Sequence, residues 1–243
     1  MIPMETTTNF KKPSSLLAKG STNAKLSKNA KYDYESYILY LAPYNQNSLG
    51  VNLCGGASKG CASDCLFTSG GGAFSSVMNA RINKTEYFLH SRVEFLSQLA
   101  EELKQISRKG EGKKISVRLN GTSDIDWVKM FQSTIGFDIL SLQNIQFYDY
   151  TKIVSRMDKY ADSNYQLTFS RSEDNDDKVQ YCLEKGYNVA IVFDELPSEY
   201  KGVRVVDGDE SDLRFLDDKG VVVGLKAKGK ARKSDNGFVI RNK

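Results

Sequence analysis

Tyr37-Ile38-Leu39-Tyr40-Leu41-Ala42 is an unbroken apolar run closed by Pro43. Six residues without polar alternation predict a strand covered on both faces, and a proline, which has no amide hydrogen to give a ladder, ends it. Working outward, Ile115–Leu119, Ile145–Tyr150, Tyr165–Phe169 and Asn188–Phe193 read as further strands, several of them buried on both faces. Val203–Val206, Val221–Leu225 and Phe238–Ile240 are shorter and extended. Between the first two runs the period changes. Phe88, Phe95, Leu96, Leu99, Leu103 and Ile106 recur at helical steps until Gly110 and Gly112, with Asn83-Lys84-Thr85 marking a break between two helices. Further helices are predicted over 126–133 and 174–185, the latter with acidic residues in its first turn and Gly186 behind it. Doubly buried strands alternating with helices predict an α/β protein with a mainly parallel sheet, either a β/α barrel, closed or partly open, or a doubly wound sheet.

The chain has 243 residues, 40% of them hydrophobic and 26% charged, which suits a globular unit with a sizeable core. Residues 1–35, rich in Ser, Thr, Asn and Lys, read as an extended, flexible basic arm. Residues 36–243 read as a single domain that includes a Gly-, Asn- and Ser-rich loop at 44–72. No apolar run is long enough for a transmembrane helix, and the N-terminus lacks the apolar core of a secretory signal. The expectation is a cytoplasmic protein with no membrane partner, whose four cysteines are free thiols or metal ligands. His90, the single histidine, sits in a polar helical stretch, so sites built on two or three imidazoles are excluded. Charge is uneven: residues 1–31 and 226–243 are basic and the body between them is acidic. Basic ends suit solubility or contact with nucleic acid.

In both candidate folds the ligand site lies at the carboxyl ends of the strands. Polar clusters stand at those ends: Asn120-Gly121-Thr122-Ser123-Asp124, Asp149-Tyr150-Thr151-Lys152, Ser170-Arg171-Ser172-Glu173, Asp194-Glu195 and Asp207-Gly208-Asp209. Turn and cap chemistry accounts for Asp194 and Glu173. Arg118, Asp149, Lys152 and Arg171 are not turn formers, and they predict a shared pocket.

Cys54, Cys61 and Cys65 form a C-x6-C-x3-C pattern within the 44–72 loop. Cys182 lies far along the chain in a helical stretch beside Val179 and Leu183 and reads as a core residue. Three close thiolates without a fourth suit a [4Fe–4S] cluster with one iron open to an exogenous ligand. Zinc completed by Cys182 or Asp64, and three unrelated thiols, are the alternatives. Gly70-Gly71-Gly72 reads as an anion-binding turn or a hinge.

Five stretches carry a resemblance: NLCGGASKGCASDCL (52–66), RLNGTSDI (118–125), QFYDYTK (146–152), LTFSRSE (167–173), and VVDGDESDLRFLD to GLKAKGKA (205–231). In order and wording the chain resembles the mycobacteriophage gene-product eighty-eight family. The cysteine segment is also similar to phage proteins whose cysteine loop is regarded as radical S-adenosylmethionine (SAM)-like. That resemblance implies a partial (β/α)6-type, TIM-like barrel with the cysteine loop after its first strand. It implies SAM contacts from Gly121, Thr122 and Ser123 after the second strand, and from Ser170 and Arg171 after the fourth. The spacing departs from the usual C-x3-C-x2-C, and Asp64 stands where an aromatic is usual.

The expectation is therefore a radical SAM-like iron–sulfur enzyme of phage origin, acting in the host-cell cytoplasm with an electron donor. Cys54, Cys61 and Cys65 hold the cluster. Lys152, Arg171 and Asp149, with Asp207 and Asp209, touch a polar substrate, a small molecule of nucleotide type or a nucleic-acid base. The basic stretch 226–233 suits phosphate contact. The alternative is a non-enzymatic nucleic-acid-binding protein with a structural iron–sulfur or zinc site. A third reading is a Mg2+ hydrolase or nuclease using Asp124, Asp149, Asp207 and Asp209.

Overall fold

The computed structural model describes residues 10–22, 26–68, 70–110 and 112–241. Nine strands form one sheet: β1 (Leu17–Lys19), β2 (Tyr34–Leu39), β3 (Lys114–Arg118), β4 (Ile145–Thr151), β5 (Tyr165–Ser170), β6 (Val189–Phe193), β7 (Glu199–Tyr200), β8 (Val203–Asp207) and β9 (Val222–Lys226). Their spatial order is β1-β2-β3-β4-β5-β6-β9-β8-β7. From β2 to β6 each strand pairs in parallel with its successor, and β9 is parallel to both β6 and β8. The edge strands β1 and β7 are antiparallel to their neighbours, and the sheet is not closed. The run from β2 to β6 contains no reversal of strand order, the feature that a doubly wound sheet needs.

Alternation along the strands sorts the two faces. Ile115 and Val117 of β3, with Ile145 and Phe147 of β4, pack into a core shared with α2 (Ser75–His90), α3 (Arg92–Lys109) and α4 (Trp127–Ile135), through Phe88, Phe95, Leu99, Trp127 and Phe131. A second core joins β5, β6 and β9 to α5 (Val154–Tyr160) and α6 (Asp176–Glu184) through Met157, Val179, Cys182 and Val222. The opposite face is polar: Ser36 and Ser116 share a hydrogen bond at 2.7 Å, and Arg118 reaches Asp212. Gly110 lets α3 end against β3, because a Cβ there would meet Ile115 at 1.7 Å. Among the described residues no helix is long and apolar enough to cross a membrane.

Three expectations change. Residues from Leu16 onward do not form a free arm. Leu16, Leu17 and Leu26 are buried, β1 pairs with β2, and Glu102 accepts the amides of Leu16 and Leu17. Residues 1–9 and 23–25 of the expected arm lie outside the described residues. The strand expected at 37–42 pairs over 34–39, because β3 offers partners only as far as Arg118, opposite Ile38. The helix break falls at Ser91, not at Thr85. The Thr85 hydroxyl is buried inside α2, where it donates to the Arg81 carbonyl and accepts the Ala42 amide.

Candidate functional site

A cavity of about 270 Å³ opens at the carboxyl ends of the parallel strands. The loop after β2 brings Cys54, Cys61 and Cys65 to it, and the loop after β3 brings Gly121, Thr122, Ser123 and Asp124. Lys152 comes from the end of β4, Ser170 from β5 and Lys226 from β9. The chain after β9 folds back over the cavity and adds Ala231 and Phe238.

The cysteine loop is fixed by its neighbours. Leu53 accepts the Asp124 amide at 2.9 Å, and the Cys54 thiol faces the Thr122 carbonyl at 3.6 Å. Gly56 packs on the β4 end so closely that a Cβ would lie 2.7 Å from that of Lys152. A short helix, α1 (Lys59–Ser63), then begins at Ser58, whose hydroxyl oxygen accepts the Cys61 amide. Glu173, at the end of β5, receives the Ser58 hydroxyl and the Gly60 amide, both at 2.7 Å. Burial raises the Glu173 pKa, but these two bonds outweigh it and hold the carboxyl below its ordinary range.

The three thiols are partly buried. Burial pushes all three up, Cys54 to about 12; neighbouring thiolates add to the rise of Cys54 and Cys65, and the Glu173, Asp124 and Asp174 carboxylates to that of Cys61, against Lys152. They are therefore neutral near pH 7 until a cation displaces their protons. Among the described residues no three His, Cys, Asp or Glu side chains are already gathered as a metal group. The chemistry of the donor set is nevertheless that of an iron–sulfur cluster with an open corner: three cysteines line one cavity, with no histidine or fourth cysteine among its lining residues. Cys182 lies in the second core, and His90 is bonded to Ser48 and Glu86 away from the cavity.

The expected SAM loop is pinned to β2. Gly121 donates to the Leu39 carbonyl at 3.0 Å, and a Cβ on it would meet the Tyr40 ring at 2.6 Å. The Thr122 hydroxyl donates to the Leu41 carbonyl. Ser123 donates to Asn120 at 2.9 Å, and the same Asn120 oxygen accepts the Ile125 amide and the Trp127 indole. Ser170 accepts from the Lys152 ammonium at 2.8 Å.

Asp149 and Arg171 are not among the residues lining the cavity. Asp149 is fully buried beneath it and accepts the amides of Asn120 and Leu119 and the Tyr165 hydroxyl at 2.8, 3.2 and 2.6 Å. Burial pushes its carboxyl up to about 7, against Arg118 at 3.6 Å and these hydrogen bonds. Arg118 itself lines the cavity, paired with Asp212 at 3.1 Å and stacked over Tyr150. Arg171 pairs with Asp176 at 3.0 Å and donates to the carbonyls of Gly237 and Phe238, so it anchors the returning C-terminal strap. Asp209 stands at the rim, bound to Lys228 and the Lys226 amide, while Asp207 accepts the Asp209 amide. Asp124 is held by Arg156 at 2.7 Å. With Asp149 behind the cavity and Asp124 neutralised by an arginine, the four acids of the Mg2+ reading do not converge.

Two contributors were not read from the sequence. In the sequence, turn chemistry alone accounts for Glu173. Asn236, which donates to both Ser63 and Asp64, had no local signal.

An open, mainly parallel sheet with a thiol-lined cavity at its carboxyl ends defines the class: an α/β protein with a strand-end ligand site. Within that class the chain belongs to the phage family Gene product 88, whose family model matches residues 15–242. No curated protein and no solved structure matches the chain.

Proposed function

We propose that the protein is a radical SAM-like [4Fe–4S] enzyme with a partial (β/α)6-type barrel, working in the host cytoplasm on a polar substrate of nucleotide or nucleic-acid type. One observation carries this reading. Cys54, Cys61 and Cys65 after the first parallel strand, Gly121–Ser123 after the second and Ser170 after the fourth all line the same cavity. The unreversed run from β2 to β6 agrees with it.

Cys54, Cys61 and Cys65 would hold the cluster, and Gly121, Thr122, Ser123 and Ser170 would hold SAM. When bound, this pair supplies the electron transfer that cleaves SAM and starts hydrogen abstraction from a substrate. The chain's own part is placement and shielding. Glu173 fixes the turn that carries Cys61. Asp149 and Asn120 hold the Gly121–Ser123 loop from below. Lys152 offers an ammonium to an anionic part of SAM or substrate. Phe238, Val192 and Leu225 exclude water from one wall.

The test is anaerobic reconstitution with iron and sulfide, then electron spin resonance with and without SAM and assay of SAM cleavage after reduction. The expected result is a brown protein whose signal shifts on adding SAM and which releases 5′-deoxyadenosine. Replacing Cys54, Cys61 or Cys65 by alanine should abolish iron loading. Cys182→Ala should keep it and cost about 1 kcal/mol of stability. The second reading, a nucleic-acid-binding protein with a structural metal, draws on the basic chain at the rim. A colourless protein with one zinc per chain and no SAM cleavage would favour it.

A further inference from the structure

The basic stretch near the C-terminus is a fixed part of the cavity rim. After β9 the chain forms a 3-10 turn, Gly229–Lys233, that buries Ala231 against Ala227 and Val239 and presents Ala231 to the cavity. Lys230, Arg232 and Lys233 are exposed, as is Lys226 at the strand end. None of these four forms an ion pair among the described residues, in contrast to Lys228, which pairs with Asp209 at 2.5 Å. The turn is tied down by Arg241, which donates to the carbonyls of Ala231, Arg232 and Ser234, and by Arg232, whose Nε donates to Ala227 at 3.3 Å. Four exposed cations thus stand on or beside the segment that lines the cavity with Lys226, Lys228 and Ala231, on a body whose sequence is otherwise acidic.

The cavity continues the pattern. Lys152 has only Ser170 oxygens as hydrogen-bond acceptors and lies 5.8 Å from the centre of the Phe238 ring. Outside is a row of cations, and inside are an ammonium without a carboxylate partner and aromatic faces from Phe238 and Tyr150. That combination suits a phosphate backbone running along the rim with one base turned inward. A cavity of about 270 Å³ cannot admit a base pair within a duplex, so the strand must be single or the nucleotide displaced.

We infer that this rim binds single-stranded nucleic acid, with Lys226, Lys230, Arg232 and Lys233 on the phosphates and one nucleotide directed at Lys152 and Phe238. The inference rests on the cavity being the working site, as proposed above, and not on what the thiols hold.

The test is fluorescence anisotropy with labelled oligothymidylate and oligouridylate of about 20 nucleotides across a salt series. The expected log–log salt slope is about −2 to −3, at about 0.7 per neutralised phosphate. Reversing all four charges (Lys226→Glu, Lys230→Glu, Arg232→Glu, Lys233→Glu) should weaken binding by more than about tenfold and flatten the slope. The control reverses four exposed lysines at the amino ends of the strands (Lys109→Glu, Lys185→Glu, Lys201→Glu, Lys219→Glu), which changes net charge equally and should shift affinity by less than about threefold. Equal losses in the two variants, no loss in the rim variant, or equal competition by polyglutamate would overturn the inference; the last would mark an acidic protein as the partner. Oligonucleotide binding should be the same for the metal-free protein and for the protein after treatment with iron and sulfide. Failure of cluster loading therefore leaves this inference standing, and failure of strand binding leaves the cluster reading standing.

Discussion

Glu173 and Gly60 meet at 2.7 Å, carboxylate oxygen to backbone amide, across a sequence separation of 113 residues. This contact ties the end of β5 to the turn between Cys54 and Cys61. The second carboxylate oxygen takes Ser58, so one side chain fixes the start of the cysteine helix. A Cβ on Gly60 would lie 2.7 Å from the same carboxylate, which explains glycine there. Glu173→Ala should cost about 1–3 kcal/mol, through two lost charge-assisted bonds and an unpaired amide. Glu173→Gln should recover part of that. If Glu173 positions the cysteines for the proposed cluster, Glu173→Ala should also lower the iron bound per chain on reconstitution and shift the reduction potential of what is bound. A stability loss with unchanged iron content and potential would make its role structural only.

Asp149 gives a pH signature. Its carboxyl is pushed up to about 7 by burial, whereas an unfolded aspartate titrates near 4. Between those values the folded chain binds more protons than the unfolded chain. This group's contribution to stability therefore falls as pH rises from about 4 to about 7, and is flat above. Asp149→Asn removes that dependence and sets an amide NH2 among donors, at a cost of about 1–3 kcal/mol. Urea unfolding at pH 5 and pH 8 should show a gap between wild type and variant that narrows at the higher pH. A gap unchanged between the two pH values would mean that Arg118 keeps Asp149 ionised throughout.

The same residue shows what was legible in the sequence. The stretch Ile145–Tyr150, rich in β-formers, announces β4, and the strand-end rule places Lys152, Ser170 and Gly121–Ser123 on one cavity. Asp149 was assigned to that cavity as well, yet it shares the alternation of Ile145 and Phe147, which face the helices. Treating the strand as buried on both faces concealed this. The pairing of β1 was not legible, because three residues carry no period and the partner β2 is set only by the folded sheet. The strap failed to show for a similar reason. Its basic composition reads as a solvated tail, and the contacts that hold it on the body come from distant residues: Arg171, Ser63 and Asp64, and a bridge from Phe193 to Ile240.

Arg171 supplies the last prediction. Its side chain is buried, and it donates to Gly237 at 2.6 Å and to Phe238 at 3.1 Å. Those carbonyls lie on the strap that closes the cavity, just beyond the basic turn. Arg171→Ala leaves both carbonyls and Asp176 without this donor, at a cost of about 1–3 kcal/mol. The loss should be local, because Arg171 joins the β5–β6 ladder only through its backbone amide, which donates to the Ala190 carbonyl and is kept in the alanine variant. Trypsin should then cut after Arg232 or Lys233 faster than in the parent, while the midpoint of global unfolding moves little. Arg171→Lys keeps the charge but not the fork that reaches Asp176 and the two carbonyls together, so it should be intermediate. Unchanged cleavage with a large drop in global stability would place Arg171 in the core framework and leave the strap held by Ile240 and Asn236 alone.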